Sequence, residues 1–443
     1  MIFQTLKGYI VSDDLKNQGR MYKNNFTREC VLNFPVMTAC MINLVKKTTQ
    51  VSLDEFCSDI HTSSVTKQAF SKARKKLSSN TFILLNNKLL EEFYTDNSIK
   101  TWEGFRLIAV DGSDIQLPQN EELREKFSTA NNQTGQTLVM AKISYAYDVL
   151  NFITLDATIH RLHTGERDLA VEHIEAIKQL RQDPTKDLYL YDRGYPSLGL
   201  LFYHDIKKKD YVMRCTISSL FKDFKKAFDE GKTDTIIRLY GCGANTDQIK
   251  ELKKRTPSLN RKEAYIDVRM VVVTLSTGEK EVLLTSLLNE NVYPITIFKD
   301  LYHKRWGAEE NYKWHKGTLQ LENFSGQTEL GVLQEFYASV LTANMSSMLI
   351  EEAQGELEEE QRARPPMMKK LKHDYRINRK IAVATLKTPL LKGLLDPDTN
   401  LDELCELLKS KLKKSTCPIR HGRAFKRTKK NGLKNNCTTK KSI

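Results

Sequence analysis

The chain has 443 residues, with 69 Lys and Arg against 55 Asp and Glu, and a formal net charge of +14. Its length predicts several domains. A hydrophobic content of 40%, with 20 Gly and 11 Pro, excludes a fibrous or low-complexity chain.

Two further patterns exclude other classes of protein. The sequence lacks a run of about 18 apolar residues and a long apolar segment at its start, so we expect neither a membrane protein nor an exported one, and a cytosolic location. The eight cysteines include no Cys-x-x-Cys pair. This spacing argues against structural zinc and against a disulfide framework.

Residues 1–100 are predicted to form a helical DNA-binding domain. A helix that opens at Ser52, a break at 62–64 and a second helix over 65–77 suggest a helix-turn-helix. The second helix is rich in basic residues and has no acid, which suits a phosphate backbone. The alternative is an ordinary amphipathic helix with a basic solvent face. The candidate DNA contacts here are Lys67, Lys72, Arg74 and Lys75.

Residues 101–215 follow a different pattern, which predicts three strands, a helix, a strand, a helix and a strand. The strands are expected at 105–111, 139–147, 151–159, 188–192 and 211–215, and the helices at 166–181 and 197–208. This order indicates an α/β fold with a ribonuclease-H-like catalytic core.

The remaining chain divides into three predicted parts. Residues 216–290 form a mainly β insertion, and residues 291–355 form the helical second part of the core. An acidic segment at 356–360 and Pro365-Pro366 predict a linker within a C-terminal helical and basic region, 356–443. From Leu407 onward there are thirteen Lys or Arg and no acid, so residues 1–406 carry only +1. Such a tail is either a solvated extension or a nucleic-acid contact.

Two carboxylates follow buried strands. Asp111 ends the strand at 105–111 and precedes Gly112-Ser113, and Asp192 ends the strand at 188–192 and precedes Arg193-Gly194-Tyr195. Open α/β sheets bind ligands at this edge. Either acid alone is more commonly a turn former.

A third polar pattern lies in the predicted helix over 297–317. Tyr302, Arg305, Glu309 and Lys316 are spaced by 3, 4 and 7 residues. At about 100° per residue these positions share one helix face. A face of this composition suits a polar ligand, although a solvated Arg305–Glu309 ion pair would explain part of it.

Together these motifs resemble the DDE transposases of the insertion-sequence-four family, with their Asp-Gly-Ser and Asp-Arg-Gly-Tyr strand ends and a Tyr-Arg-Glu-Lys helix. Further likeness lies in Gly165-Glu166-Arg167, in Leu321-Glu-Asn-Phe-Ser-Gly326 and in residues 68–76. The resemblance covers about residues 50–350.

The resemblance implies that Asp111, Asp192 and Glu309 are catalytic and hold two Mg²⁺ ions, for which Mn²⁺ substitutes. Carboxylates that lie close together need such a cation, because they otherwise raise one another's pKa. Two ions can support an in-line phosphodiester displacement. The implied reaction is cut-and-paste transposition through a DNA hairpin, by a homodimer on transposon ends, in the bacterial cytosol on the nucleoid.

The resemblance also assigns DNA contacts. Tyr302, Arg305 and Lys316 are expected to hold phosphates, with Arg214 as an additional contact. In relatives the insertion supplies an aromatic residue, often Trp, for a flipped base. The insertion here has no Trp, so this role would fall to Phe221, Phe224, Tyr240 or Tyr265.

Three alternatives remain open at this point. His160, His163 and Glu166, or the histidines at 303 and 315, could be imagined as a zinc site, but neither pair forms His-Glu-x-x-His. A catalytically silent or domesticated DNA-binding protein would keep the fold without cutting. A nuclease of the same fold would cut without joining ends.

Overall fold

The computed structural model describes residues 2–43, 48–96, 99–132, 134–179, 185–219, 221–241, 250, 264–275, 277–363 and 373–419. Cys242, the two prolines of the predicted linker (Pro365 and Pro366) and the basic tail from residue 420 lie outside these ranges. The six cysteines that the structure describes are free thiols.

The first part of the chain is helical, as predicted. Helix α4 begins at Thr49, three residues before the expected start at Ser52. Helix α5 is shorter than predicted, because Thr66 caps it by accepting a hydrogen bond from Ala69 N at 3.2 Å. The helices are α1 (Ile2–Ile10), α2 (Asp13–Gly19), α3 (Phe34–Asn43), α4 (Thr49–Asp59), α5 (Lys67–Arg74) and α6 (Asn80–Asp96).

A large mixed sheet forms the centre of the molecule. Within the described ranges it has nine strands in the order β2-β3-β1-β5-β6-β9-β8-β7, and β4 pairs with β3. Strands β1, β5 and β6 are parallel, and the other neighbours are antiparallel. The strands are β1 (Phe105–Gln116), β2 (Thr129–Asn131), β3 (Thr137–Asp148), β4 (Ile153–Arg161), β5 (Lys186–Tyr191), β6 (Asp210–Cys215), β7 (Asp234–Tyr240), β8 (Tyr265–Thr274) and β9 (Lys280–Thr285).

Helices cover this sheet, as the alternation of strands and helices requires. The predicted helices at 166–181 and 197–208 correspond to α8 and α9, and Ser197 caps α9. The helices of this region are α7 (Glu121–Phe127), α8 (Glu166–Gln179), α9 (Leu198–Lys207) and α10 (Lys222–Asp229).

The predicted β insertion continues the same sheet. Strand β9 pairs antiparallel with β6, so β7, β8 and β9 extend the edge of the sheet beyond the parallel strands. Buried Arg269 on β8 joins Asp234 on β7 with its Nη2 at 2.5 Å from Oδ2. Strands β7, β8 and β9 all lie within residues 216–290, where the sequence predicts a mainly β insertion.

The last helices pack against the sheet and against the N-terminal helices. They are α11 (Phe298–His303), α12 (Trp306–Lys313), a π-helical turn (Trp314–Thr318), α13 (Glu329–Arg362), α14 (Arg379–Leu395) and α15 (Leu401–Lys413), followed by the short pair β10 (Tyr375–Ile377) and β11 (Thr416–Pro418).

The acidic segment at 356–360 is helical, and its predicted role as a linker is wrong. These residues lie inside α13, which runs for 34 residues. Glu356 accepts hydrogen bonds from Lys409 Nζ at 2.6 Å and from Lys413 Nζ at 2.8 Å, and both lysines lie on α15. Part of the basic charge of the C-terminal region therefore neutralises this acidic surface.

Candidate active site

Strand pairing brings Asp111 and Asp192 to the same edge of the sheet. The parallel ladder of β1 and β5 ends with the pair Val110 and Tyr191, and each aspartate is the next residue. Strand β1 continues to Gln116, beyond its predicted end at Asp111, because its last residues pair with β3. Asp111 therefore lies within a strand and Asp192 lies in the turn that follows one.

The Asp111 carboxylate is partly buried and has two donors nearby. Its Oδ1 accepts a hydrogen bond from Gly112 N at 2.9 Å, and its Oδ2 lies 3.6 Å from Arg305 Nη1. Burial raises the pKa of Asp111 to about 6, because the charged form loses solvation, and Arg305 and the Gly112 amide oppose this shift. The negative charges of Asp192 and Glu166 raise it further.

Arg305 connects the first aspartate to Glu309. Its side chain is buried, with 5% of the residue exposed, and Nη2 donates to Glu309 Oε1 at 3.0 Å. Nη1 has no hydrogen-bond partner among the described residues. Burial lowers the pKa of the guanidinium, but Tyr302, Asp192 and Asp111 outweigh this effect, so that the pKa is raised. Arg305 is therefore a buried cation that faces Asp111 and Glu309, and its Nη1 group can still donate a hydrogen bond.

Tyr302 contacts the second aspartate. Its ring is buried, and its hydroxyl donates to Tyr191 O at 3.2 Å and to Asp192 Oδ1 at 3.5 Å. Arg214 also lies near this aspartate, with Nη1 3.9 Å from Asp192 Oδ1 and 3.2 Å from Glu281 Oε1. The hydroxyl of Tyr302 is thus directed to the end of β5.

Lys316 reaches the strand that carries Asp111. Its Nζ donates to Ser113 Oγ at 2.8 Å and to Asp114 O at 2.6 Å, and burial lowers its pKa. The predicted continuous helix over 297–317 is wrong, because α11 ends at His303, α12 begins at Trp306 and Lys316 lies in a π-helical turn. Such turns recur at functional sites.

A cleft of about 650 Å³ opens beside these residues. Acidic and basic side chains both line it, which suits a substrate that carries phosphate groups together with the cations that neutralise acids. Its lining is Asp192, Arg193, Arg214, Leu275, Thr277, Glu281, Lys299, Asp300, Tyr302, His303, Arg305, Trp306 and Glu309.

The chemistry of the acids suits a hard divalent cation, which prefers oxygen ligands. In the part of the chain that the structure describes, however, no three Asp, Glu, His or Cys side chains are close enough to hold a single ion. Arg305 supplies the positive charge that faces Asp111 and Glu309. The histidines of the zinc alternative lie apart: His160 pairs with Glu172 at 3.0 Å, and His315 is buried against Tyr145.

The comparison with protein families decides the class of protein. A family model described as a transposase DDE domain matches residues 102–345, which is more than half of the chain. The chain belongs to this family of DDE transposases. The match begins before β1 and extends past Lys316, so it includes the whole site described above.

Among solved structures, the transposase is similar to a piggyBac transposase in a synaptic complex with hairpin DNA, determined by cryo-EM. The likeness has a TM-score of 0.46 and 8% sequence identity, and it covers 97% of this chain and 88% of the other. No curated protein matches the sequence significantly.

None of the helices among the described residues is long and apolar enough to cross a membrane.

Glu166 is a fourth acid beside this site, and the motifs did not assign it a role. A Cβ on Gly112 would lie 2.9 Å from Glu166 Oε1, and one on Gly194 would lie 3.6 Å from Oε2. Glu166 therefore lies close to the backbone that follows each of the two aspartates. The next residue, Arg167, donates to Gly194 O at 3.1 Å and to Pro196 O at 3.2 Å. The Gly165-Glu166-Arg167 motif was the sequence signal for this contact.

The candidate DNA contacts on α5 separate into two groups. Lys67, Lys72 and Lys75 are exposed. Arg74 is buried, and its guanidinium donates to Gln334 Oε1 at 2.7 Å and to Glu335 Oε1 at 2.9 Å on α13. Arg74 therefore fixes α5 to the core of the transposase, and we remove it from the candidate DNA contacts.

The four candidate stacking residues of the insertion also differ in exposure. Phe224 is fully buried, and Phe221 is partly buried. Tyr240 and Tyr265 are 53% and 46% exposed and lie side by side on β7 and β8, with Arg238 3.7 Å from the centre of the Tyr265 ring. Among these four residues, the two tyrosines are the most exposed.

Proposed function

We propose that this transposase cleaves and joins transposon-end DNA with Asp111, Asp192 and Glu309 as its catalytic carboxylates. The observation that carries the proposal is Arg305, whose guanidinium lies 3.6 Å from Asp111 and 3.0 Å from Glu309 at the edge where the strand of Asp192 also ends. A buried cation at this position faces acids from two different elements, Asp111 on β1 and Glu309 on α12.

Two Mg²⁺ ions, or Mn²⁺ in their place, are the proposed cofactors, and Asp111, Asp192 and Glu309 would hold them. Bound there, they would supply Lewis acidity for an attacking water or 3′-hydroxyl and for the leaving 3′-oxygen. Burial raises the pKa of Asp111, and a cation bound beside it would favour the charged form of this carboxyl. Asp111 and Asp192 come directly after the paired residues Val110 and Tyr191, so both carboxylates lie at one edge of the sheet, where they would hold the ions.

The basic residues of the site would bind the DNA backbone. Arg305 Nη1 is a buried donor without a hydrogen-bond partner among the described residues, and a phosphate oxygen would satisfy it. Lys316 contacts Ser113, two residues after Asp111, and suits a second phosphate. Arg214 faces the cleft next to Asp192. Tyr302 would contact the DNA at the end of β5, where its hydroxyl lies beside Asp192.

The sheet supports a ribonuclease-H-like core for this proposal. Strands β4, β3, β1, β5 and β6 are neighbours in that order, with the first three antiparallel and the last three parallel. Asp111 lies on β1 and Asp192 directly follows β5, the two neighbouring parallel strands at the centre of this order. The insertion-sequence-four type of reaction, through a DNA hairpin, is the specific pathway that the Tyr302, Arg305, Glu309 and Lys316 array favours.

The proposed partners are the inverted-repeat ends of a transposon and its target DNA, held by a homodimer. Exposed Lys67, Lys72 and Lys75 on α5 would contact phosphates, which contribute affinity with little sequence information. Tyr240 and Tyr265 are the residues of the insertion that could stack on an unpaired base. This activity would take place in the bacterial cytosol, on the nucleoid.

Two assays test the proposal. The DNA that flanks the gene is footprinted with the protein to find the ends, and a labelled duplex with such an end is incubated with Mg²⁺ or Mn²⁺. We expect release of a 3′-hydroxyl at the end, and no cleavage would refute the proposal in favour of a silent DNA-binding protein. A pre-cleaved end is then offered with target DNA. Joined products are expected, whereas cleavage without joining would indicate a nuclease of the same fold.

A further inference from the structure

A chain of buried hydrogen bonds leads from helix α8 to Asp111. His173 Nδ1 lies 2.6 Å from Asp156 Oδ2, and His173 Nε2 lies 2.9 Å from Ser144 Oγ. The Ser144 hydroxyl lies 3.0 Å from Asp111 O, to which it donates. Ser144 and His173 are both fully buried.

The order of Ser, His and Asp matches a hydrolase triad, but the structure does not suit a nucleophile. A nucleophilic hydroxyl has to reach a substrate, and Ser144 is inside the sheet with no solvent exposure. Its proton is directed to the main chain of β1. The three residues are therefore arranged to hold the strand and not to attack a ligand.

The hydrogen bonds end at Asp111, which is one of the proposed catalytic carboxylates. Asp111 O accepts a second hydrogen bond from Tyr312 OH at 2.6 Å, so two side-chain hydroxyls fix one carbonyl. Asp156 is on β4, Ser144 on β3 and His173 on α8. These hydrogen bonds lock the three elements to the backbone of Asp111.

We propose that Asp156, His173 and Ser144 are positioning residues that hold Asp111 in the geometry needed for catalysis. The inference rests on the proposed function of Asp111. A carboxylate that holds a cation must be fixed to within about 0.5 Å, and loss of a supporting partner typically costs about 10- to 100-fold in metal affinity or activity. Ser144 acts on Asp111 directly, and His173 and Asp156 act through Ser144.

The chain offers a matched control on the neighbouring strand. Thr158 lies directly opposite Ser144 in the β3–β4 pair. Its hydroxyl is buried and has no hydrogen-bond partner within the described ranges. Thr158→Val and Ser144→Ala each remove one buried hydroxyl from adjacent positions, but only the second removes a bond to Asp111.

The test measures Mn²⁺ affinity of the DNA-free protein by calorimetry, cleavage of end DNA, DNA affinity and melting temperature. Ser144→Ala and His173→Gln are expected to lower Mn²⁺ affinity and cleavage about 10- to 100-fold with DNA affinity unchanged. Because His173 acts through Ser144, the double variant should lose no more than Ser144→Ala alone. Thr158→Val should match the wild type.

Two results would overturn the inference: a Ser144→Ala variant that behaves like Thr158→Val, or single losses that multiply in the double variant. If His173→Gln fails to fold, Asp156→Asn replaces it in the cycle. The Asp111→Asn variant distinguishes an error in the positioning role from an error in the proposed function. If Asp111→Asn keeps cleavage, the proposed function is wrong, and if it abolishes cleavage while Ser144→Ala does not weaken it, only the positioning role is wrong.

Discussion

Arg305 Nη1 lies 3.6 Å from Asp111 Oδ2, on a carboxyl whose pKa is raised to about 6 mainly by burial. The guanidinium therefore offsets part of the cost of a buried negative charge. Arg305 also donates to Glu309, so a single cation faces two acids of the site. This relationship links the chemistry of the site to the stability of the fold.

The first prediction concerns the pH dependence of stability. The pKa of Asp111 rises from its ordinary 3.8 to about 6 on folding, so the folded state binds more protons in this window. The carboxylate thus costs stability above pH 6, on the order of 3 kcal/mol, and the cost disappears as the pH falls towards 4. Asp111→Asn is expected to have a higher free energy of unfolding than the wild type at pH 8.

Urea unfolding at pH 8, 6 and 4 measures this difference. It should be largest at pH 8 and close to zero at pH 4. A difference that is the same at all three pH values would mean that the substitution acts by packing and not through the proton of Asp111.

Arg74 and its neighbours on α5 provide a second prediction. Arg74→Ala leaves buried Glu335 without its cation and should lower the free energy of unfolding by about 3 to 5 kcal/mol. Lys72→Ala and Lys75→Ala remove exposed charges from the same helix, so they should change stability by less than about 0.5 kcal/mol and weaken DNA binding. Equal loss of stability in Arg74→Ala and Lys72→Ala would contradict this division.

Much of the site could be predicted from sequence, because its elements carry local signals. Asp111 and Asp192 each follow an apolar run that only a buried strand explains, and parallel strands bring their ends together. The spacing of Arg305 and Glu309 places them on one turn of helix, where they pair. Local patterns of this kind do not depend on distant parts of the chain.

The errors of sequence interpretation come from distant partners. Arg74 looked like a DNA contact because its neighbours are lysines, but its partner Gln334 is 260 residues away. Glu356 looked like part of a linker because its cations, Lys409 and Lys413, lie more than 50 residues further on. Local sequence periodicity does not predict these hydrogen-bonded pairs, because they form only when α13 packs on α5 and α15.

The third prediction tests the contact between Gly112 and Glu166. A methyl group at position 112 would lie 2.9 Å from Glu166 Oε1, so Gly112→Ala should displace the Glu166 side chain and slow cleavage, with little change in melting temperature. In a Glu166→Ala background the same substitution should cost little. Gly355→Ala is the control, because nothing lies within 4 Å of its Cβ. A Gly112→Ala penalty that Glu166→Ala does not relieve would exclude this contact as its cause.

The fourth prediction concerns the basic tail. Thr416–Pro418 pairs with Tyr375–Ile377, so a deletion that spares the fold should begin after residue 419. Deletion of residues 420–443 removes nine Lys and Arg and should flatten the dependence of DNA affinity on salt concentration. The rate of end cleavage at saturating DNA should be unchanged. An unchanged salt slope would indicate that the tail does not contact phosphates.

The most direct test of the central claim is end cleavage by single variants of the three acids. Asp111→Asn, Asp192→Asn and Glu309→Gln each keep the size of the side chain and remove its charge. Each variant is assayed for DNA binding and for release of a 3′-hydroxyl with Mn²⁺, with Glu310→Gln as the adjacent control. We predict that the three variants bind end DNA like the wild type and do not cleave it, while Glu310→Gln cleaves normally. Wild-type cleavage by Asp192→Asn would contradict the assignment of the active site.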